Sequence, residues 1–274
     1  MKKFLSILLL AFGVTSMFAN NIHPVSRESG SGTRGAFVDI FDVKKVVNDK
    51  NIDAITKKAE VTNSTGVMLS TIANIKDSIG YISLGSLNNQ VKALKIDGVA
   101  PSSKNIKNKS YPIYRSFNLV YKQESPLLID FLNYTKSKQA QEVIQKAGYI
   151  AISKDSFTSK KHSGKLVISG SSSITPLMEK LIESYKEINP SASIELQQSD
   201  STTGVNSVVQ GIADIGMVSR DIKKSEKDKG LSVKTLANDG LAIIVNTQNK
   251  IENLSKEQVK KIFLGQIVSW KDLK

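Results

Sequence analysis

The chain of 274 residues is long enough for one large domain or two small ones, and its 40% hydrophobic and 23% charged residues are typical of a globular protein. It contains no cysteine and only two histidines, which excludes disulfides and thiol catalysis and disfavours a His-based metal site or triad. The formal net charge of +13 suits an anionic partner such as a phosphate-bearing molecule, nucleic acid or a membrane surface, although it also serves solubility alone.

Residues 1–19 have the pattern of a secretory signal peptide. Lys2 and Lys3 form a positively charged start, the apolar run from Leu5 to Val14 is too short to span a bilayer, and Ala19 is a small residue suited to cleavage. No cysteine follows that could carry a lipid anchor. We therefore expect a periplasmic protein, exported by this signal; a retained membrane anchor is the alternative.

The first half of the remaining chain alternates between strand and helix patterns. A short strand at 23–26 leads through the Ser/Gly-rich turn 29–34 into a helix with apolar residues between 36 and 43. The patterns that follow predict a helix over 67–75, a strand over 79–84, an edge strand over 91–99, a polar loop over 104–109, an extended segment over 111–121 and two helices within 127–147.

The second half continues this alternation after residues 152–165, a Ser/Lys-rich segment without apolar periodicity that we predict to be a linker. A strand at 166–168 then precedes a helix that has Pro176 in its first turn. The remaining patterns predict strands at 194–196, 213–218 and 241–245, a helix with apolar residues from Val205 to Ile212, and a final helix that opens with a capping box of Ser255 and Gln258. The alternation predicts an α/β protein with largely parallel sheets.

Three of the predicted strand-to-helix turns, 29–34, 170–173 and 199–204, are rich in Ser, Thr and Gly. A helix N-terminus presents unpaired N–H groups and a partial positive charge, and small residues let an anion approach the backbone. Each turn could therefore hold an anion, although Ser and Thr are also ordinary N-caps. Arginines, which bind phosphate in two-pronged fashion, lie in or beside these segments at positions 27, 34 and 220.

The enzyme classes with recognisable motifs are disfavoured. Gly30, Gly32 and Gly35 match the spacing of a dinucleotide-binding fingerprint, but the surroundings of Asp53, the acidic residue at the appropriate distance, do not have a strand pattern. The sequence contains no Walker A motif and no G-x-S-x-G elbow, and neither histidine has a clear metal-ligand spacing. We expect a protein that is not an enzyme and that needs neither a cofactor nor a metal.

Several segments together resemble the substrate-binding proteins of high-affinity phosphate ABC transporters. The similar segments are SRESGSGTRGAF (26–37), GSSSITPLMEKL (170–181), DSTTGVNSVVQGIADIGMVSR (200–220) and EQVKKIFLGQIVSWKDL (257–273), together with 77–85 and 111–120. The resemblance covers nearly all of the chain after residue 19. It implies a two-lobed periplasmic binding protein fold of type II, an α/β fold with the ligand cleft between the lobes.

The order of these segments is rotated relative to the family, in which the GSSS segment comes first. Joining residue 274 to residue 21 would restore the family order, so we expect a circularly permuted member in which residues 152–165 join the usual chain ends. On this interpretation lobe I comprises residues 111–245 and lobe II comprises residues 20–110 with 246–274. A fragment of a tandem duplication and an assembly error are the alternatives.

The resemblance also implies a set of phosphate contacts. Arg27 would be the charged clamp, and the other contacts, as hydroxyl or backbone donors or a second arginine, would be Ser31, Gly32, Thr33, Ser172, Ser173, Ile174 (through its backbone), Ser201, Thr202, Ser219 and Arg220. Longer family members have an aspartate at the Ser219–Arg220 turn, where it accepts a proton from phosphate; shorter members carry Ser-Arg. Selectivity against sulfate is therefore open, and the possible substitutes for that aspartate are Asp200, Asp221 and Asp239.

The function implied by the resemblance is phosphate uptake. The protein would bind inorganic phosphate by lobe closure and deliver it to the membrane permease of an ABC transporter, as a monomer and without contacting nucleic acid. The alternatives are a binder of another oxyanion such as sulfate or tungstate, a binder of a phosphorylated metabolite, a secreted phosphoester hydrolase, and a product that does not fold into a binding site.

Overall fold

Strands and helices alternate along the computed structural model, which describes residues 21–273. The strands are β1 His23–Arg27, β2 Lys44–Val47, β3 Lys50–Asp53, β4 Glu60–Thr62, β5 Ser78–Ser83, β6 Val91–Ala93, β7 Lys95–Ile96, β8 Tyr114–Tyr121, β9 Gly164–Ser171, β10 Ala192–Ser199, β11 Ile215–Val218, β12 Ser232–Asn246 and β13 Asn253–Leu254. The helices are α1 Gly32–Ile40, α2 Thr65–Asn74, α3 Ser103–Lys107, α4 Pro126–Lys136, α5 Lys138–Lys146, α6 Thr175–Ile188, α7 Ser201–Val209, α8 Lys224–Lys227 and α9 Lys256–Phe263. The predicted signal peptide, residues 1–19, lies outside the described residues.

Nine strands form one sheet that runs through both lobes. The strand order is β10-β9-β11-β8-β12-β5-β1-β4, with β6 also paired to β12. In the predicted division into lobes, which stays a prediction, lobe I contains the parallel strands β9, β10 and β11, and lobe II contains the parallel strands β1, β4 and β5. The long strand β12 belongs to both, because residues 232–240 pair with β8 and residues 241–245 pair with β5. None of the helices within residues 21–273 is long and apolar enough to cross a membrane.

Each lobe has its own hydrophobic core. In lobe I, helices α4, α5 and α6 pack their apolar faces against the sheet around Phe131 and Tyr185. In lobe II, Phe37 of α1 stacks on Tyr81 of β5 with 4.0 Å between ring centroids, and Phe263 of α9 packs edge-on at 4.6 Å. These three rings are fully buried, and they hold α1 in place against the sheet.

Several predicted elements differ from the structure. The predicted loop 104–109 is wrong, because Ser102 caps the short helix α3, which buries Ile106. The predicted edge strand over 91–99 is two separate strands, β6 and β7. Helix α7 ends at Val209, so Ile212 lies beyond it and is 59% exposed. These errors share a cause. In short amphipathic segments, tertiary contacts determine the type and the bounds of the element more than local periodicity does.

The segment around Asp53 was expected not to be a strand, and this is wrong. Residues Lys50–Asp53 form β3, which pairs antiparallel with β2 in a two-stranded hairpin. A hairpin is not the second parallel strand that a dinucleotide-binding unit requires. Asp53 instead accepts a hydrogen bond from Arg34 Nε at 2.6 Å.

Residues 152–165 contain no helix, and β9 begins near their end, at Gly164. The segment is nevertheless docked on lobe I. The buried Asp130 carboxylate accepts hydrogen bonds from Ser159 Oγ at 2.7 Å and from the Lys160 N–H at 3.0 Å. These contacts hold the segment along the surface of α4.

The two ends of the described chain lie side by side in lobe II. Asn21 forms an antiparallel bridge with Ser269, and the Ile22 N–H donates to the Val268 carbonyl at 2.8 Å. This proximity is compatible with a rotated segment order, which stays a prediction.

The lobes are connected where β8 and β12 run antiparallel across the boundary. Arg115 of β8 and Asp239 of β12 are register partners and form a buried ion pair, with 3.1 Å between Nη2 and Oδ2. Asp239 Oδ1 also accepts a hydrogen bond from Ser83 of lobe II at 2.8 Å. Burial raises the pKa of Asp239 to about 6, although Arg115 pulls the pKa down. We call Arg115 and Asp239 the hinge pair.

We expect Phe37→Ala to lower the free energy of unfolding by about 3–5 kcal/mol, because it removes a fully buried ring that contacts two other aromatic rings. Urea denaturation measures the change. As a control, Val46→Ala removes a side chain that is 70% exposed and should change the free energy by no more than about 0.5 kcal/mol. Equal effects of the two substitutions would contradict the packing described for lobe II.

We also expect Asp239 to give stability a pH dependence opposite to that of a typical paired carboxylate. Its folded pKa of about 6 lies above the value of about 3.9 for an unfolded chain, so the folded state binds the proton more tightly. This tighter proton binding adds to the free energy of unfolding. The added stability is complete below the unfolded pKa and is lost as the pH rises through about 6. In denaturation curves from about pH 4 to about pH 7, the wild-type protein should lose stability relative to Asp239→Asn. A difference that does not vary with pH would refute this prediction.

Candidate functional site

Four of the described helices, α1, α2, α6 and α7, begin at the boundary between the lobes. Side chains cap three of them: Ser31 accepts from the Arg34 N–H, Ser64 from the Val67 N–H, and Asp200 from the N–H groups of Thr202 and Thr203. Helices α1 and α2 come from lobe II, whereas α6 and α7 come from lobe I. Helix N-termini carry partial positive charge, so the space between them favours an anion.

Arg27 lies at the end of β1, between these helix N-termini, and is 2% exposed. Its guanidinium group bonds both carboxylate oxygens of Glu28, at 2.7 and 2.8 Å, and Nη2 also donates across the cleft to Ser172 Oγ at 3.1 Å. The Arg27 carbonyl accepts from Arg34 Nη1 at 2.7 Å, which ties the end of β1 to α1. The charged group is therefore held in a fixed position and contacts both lobes.

Buried hydroxyl groups from both lobes surround this arginine. Thr33 Oγ1 of lobe II and Ser173 Oγ of lobe I are 2.6 Å apart. Within lobe I, Ser171 Oγ donates to Ser219 Oγ at 2.8 Å, and Ser201 Oγ accepts from the Ser219 N–H at 3.0 Å. A hydroxyl group both donates and accepts, so this set can surround a tetrahedral oxyanion with donors.

Gly30, in the turn before α1, and Gly32, the first residue of α1, allow the lobes to approach closely. A β-carbon on Gly32 would overlap Ser201 Oγ and lie 2.6 Å from Ser219 Oγ. The Gly30 carbonyl accepts from Thr202, from its N–H at 3.2 Å and its Oγ1 at 3.1 Å. Glycine at position 32 is therefore needed because α1 and α7 meet end to end, and not because the turn needs an unusual backbone angle.

The structure brings together most of the residues named from the resemblance. Besides Ser201 and Ser219, three further predicted contacts are engaged within their own lobe. Arg220 bonds both carboxylate oxygens of Glu226, at 2.7 and 2.8 Å. Ile174 was expected to donate its backbone N–H to the ligand, whereas that N–H donates to the Ser171 carbonyl at 2.9 Å because the turn closes on itself. Ser31 Oγ caps α1.

Thr65, the first residue of α2, was not among the predicted site residues. Its N–H donates to Ser172 Oγ at 3.2 Å, and its Oγ1 lies 3.2 Å from Ser173 Oγ. A signal was present, because Ser64, Thr65 and Gly66 form a fourth Ser/Thr/Gly turn before a helix. The helix was expected to begin at position 67, which placed this turn outside the helix start.

The candidate proton acceptors are also located. Asp200 caps α7, with Oδ1 accepting from two backbone N–H groups and Oδ2 accepting from Thr203 Oγ1 at 2.7 Å. Asp239 belongs to the hinge pair. Across residues 21–273, no three His, Asp or Glu side chains are grouped so that they could hold a metal ion. Apart from the Glu28 carboxylate, which pairs with Arg27, the groups that converge at the cleft can donate hydrogen bonds, and their arrangement suits binding of an oxyanion.

Comparison with known proteins agrees with this geometry. The chain matches the family model described as "PBP superfamily domain" over residues 17–139 and 155–274. It is 48% identical over 263 residues to "Phosphate-binding protein PstS 2" of Streptococcus agalactiae serotype V, covering 94% of this chain and 90% of that protein. It is 41% identical over 259 residues to "Phosphate-binding protein PstS 2" of Streptococcus pneumoniae serotype 4, covering 93% and 89% of the two chains.

A solved structure supports the same assignment. The crystal structure of a phosphate ABC transporter, phosphate-binding protein from Streptococcus pneumoniae superposes with a TM-score of 0.72 and 41% identity, and the match covers 93% of this chain and all of that one. The chain therefore belongs to the PBP superfamily and, within it, to the family of phosphate-binding proteins PstS.

Proposed function

We propose that the protein binds inorganic phosphate in the cleft between its lobes and delivers it to the membrane permease of an ABC transporter, without catalysing a reaction. Relatives named as phosphate-binding proteins support this function. One structural observation carries it: hydroxyl groups from the helix N-termini of both lobes meet around the buried guanidinium group of Arg27. A tetrahedral anion is the ligand that such a set of donors fits.

The binding mechanism follows from donors on both lobes. The ligand oxygens would accept from Arg27, Gly32 and Thr33 of lobe II and from Ser172, Ser173, Ser201 and Ser219 of lobe I. Because only the closed protein offers both groups of donors, phosphate would stabilise the closed state over the open one. Closure also excludes water, and the lower local dielectric strengthens each charge-assisted hydrogen bond.

Delivery to a permease requires that the protein work outside the cytoplasmic membrane. The signal-peptide pattern of residues 1–19 supports export to that location. The connection between the lobes supports release by reopening, because β8 and β12 join them without other regular strands crossing in the described part of the chain.

A second candidate is a less selective oxyanion binder. The observation that favours it is the engagement of Asp200, whose carboxylate already accepts three hydrogen bonds as the cap of α7. A carboxylate that accepts a proton from phosphate is what rejects sulfate, and the cleft has hydroxyl groups in its place. Competition between phosphate and sulfate separates the two candidates.

We expect Arg27→Ala to weaken phosphate binding by about 10- to 100-fold, because hydrogen bonds to a charged group are worth about 1.5–3 kcal/mol. Titration calorimetry on residues 20–274, freed of phosphate by partial unfolding and refolding, measures the affinity. The matched control is Lys165→Ala, which removes a positive charge that is 61% exposed and paired with Glu195 at the edge of lobe I. This control should bind phosphate within about twofold of the wild-type protein.

The outcomes of this titration are distinct. Wild-type affinity in Arg27→Ala would refute the site. Equal binding of phosphate and sulfate by the wild-type protein would support the less selective oxyanion binder. Binding of neither anion by a cooperatively folded sample would refute the proposed function.

We expect Gly32→Ala to reduce phosphate affinity by at least about tenfold, because the added methyl group would stand between α1 and the hydroxyl groups of Ser201 and Ser219. Gly66→Ala is the matched control, since Gly66 is also in the first turn of a lobe II helix and the nearest atom to an added β-carbon is 4.0 Å away. Calorimetry on both variants tests the close approach of the lobes. Equal affinities would show that binding does not need α1 and α7 to meet.

A further inference from the structure

We propose that Thr65 is a positioning residue of the phosphate site, which orients the hydroxyl groups of Ser172 and Ser173 from the opposite lobe and thereby slows phosphate release. This inference rests on the proposed function, because it concerns the same cleft. Thr65 is 5% exposed and separated from Ser172 by 107 positions in the chain.

The contacts of Thr65 cross the boundary between the lobes. Its N–H donates to Ser172 Oγ at 3.2 Å, and its Oγ1 lies 3.4 Å from Ser172 Oγ and 3.2 Å from Ser173 Oγ. Arg27 Nη1 also donates to Thr65 Oγ1, at 3.5 Å. Thr65 therefore joins the charged clamp of lobe II to both serines of lobe I.

The donors around Ser172 determine the direction of its own hydroxyl hydrogen. Ser172 Oγ accepts from the Thr65 N–H and from Arg27 Nη2, at 3.2 and 3.1 Å, and neither of these groups can accept a hydrogen bond. A hydroxyl oxygen has two lone pairs, so both are used. The hydrogen of Ser172 must then donate. Thr65 Oγ1, 3.4 Å from Ser172 Oγ, is one acceptor within reach, and an anionic phosphate oxygen is the stronger acceptor once the ligand is bound. Thr65 and Arg27 together make Ser172 a donor toward the ligand.

Thr65 is well placed for this role because α2 is rigidly held. Met68 and Ile72 of α2 are fully buried in lobe II. A β-carbon on Gly80 of β5 would lie 2.5 Å from Met68 Sδ, so helix and strand pack in direct contact. Ser64 caps the helix through the Val67 N–H at 3.2 Å. The first residue of α2 therefore presents its N–H and hydroxyl from a fixed position.

The kinetic consequence distinguishes positioning from a general structural role. The contacts of Thr65 with lobe I cross the cleft, so they require the lobes to be closed. Their loss should raise the dissociation rate and leave the association rate within about twofold, as is usual for contacts that form late in binding. The stability of the phosphate-free protein should not change.

Three substitutions separate the two groups of Thr65. Thr65→Ser keeps both the N–H and the hydroxyl and should behave like the wild-type protein. Thr65→Val keeps only the N–H and should raise the dissociation rate by about fivefold, the effect of one neutral hydrogen bond. Thr65→Pro removes both and should raise that rate on the order of 30-fold.

The Cδ of proline would replace the N–H hydrogen that points at Ser172 Oγ, so Thr65→Pro adds a clash across the cleft to the loss of both hydrogen bonds. Proline is nevertheless compatible with the helix backbone at position 65. It is favoured at the first position of a helix, and the preceding Ser64 has φ −157° and ψ 165°, which suits a residue before proline. The matched control is Ser103→Pro at the first position of α3, where the preceding Ser102 has φ −153° and ψ 152°. This control should release phosphate at the wild-type rate.

Equilibrium dialysis with radiolabelled phosphate measures the affinity of each variant. The loss of bound label after dilution into unlabelled phosphate measures the dissociation rate, and urea denaturation measures the stability of the phosphate-free proteins. Faster release in Thr65→Val, with recovery in Thr65→Ser, supports the inference, and Thr65→Pro should release phosphate faster still. The inference is overturned if release from Thr65→Val is unchanged, or if the phosphate-free protein loses stability in proportion to its loss of affinity. A wild-type protein that binds no phosphate would instead refute the proposed function.

Discussion

The close approach of helix N-termini from two separate lobes is the constraint on which the rest of the structure depends. Such ends carry partial charges of the same sign, and their meeting is unfavourable unless polar groups or an anion lie between them. The chain meets this constraint with residues that have little or no side chain, Gly30 and Gly32, and with hydroxyl groups that bridge the lobes, such as Thr33 with Ser173. The cleft is therefore both tightly closed and rich in hydrogen-bond donors.

Closure of this kind requires a hinge that keeps the lobes in register. Strand β12 continues from one half of the sheet into the other, and the hinge pair of Arg115 and Asp239 lies at that crossing. Charge is strongly compensated throughout this region: Arg27 bonds Glu28, Arg220 bonds Glu226, and Arg115 bonds Asp239. The excess positive charge of the chain is therefore carried mainly by lysines on the surface, while the cleft depends on oriented hydrogen bonds and helix ends.

The main features of the site could be predicted from the sequence because their signals are local. A Ser/Thr/Gly turn before a helix is recognisable within a few residues. This pattern identified the N-termini of α1, α6 and α7, and it placed Arg27 beside the N-terminus of α1. Thr65 has the same local signal, but its helix was expected to begin two residues later. Pairings such as Arg220 with Glu226 could not be predicted, because they depend on where α8 packs after β11.

The sequence by itself determined the α/β class, the capped turns, the phosphate-binding family and most residues at the cleft, since helix capping and strand periodicity depend on neighbours within one or two turns. Only the tertiary structure decided which hydroxyl groups face one another. Ser172 becomes a donor because Thr65 and Arg27, both more than 100 positions away, direct their N–H groups at its oxygen. The structure likewise decided that residues 232–240, which mix polar and apolar side chains, extend β12. Their pairing with β8 satisfies backbone groups, which the local pattern of the sequence does not reveal.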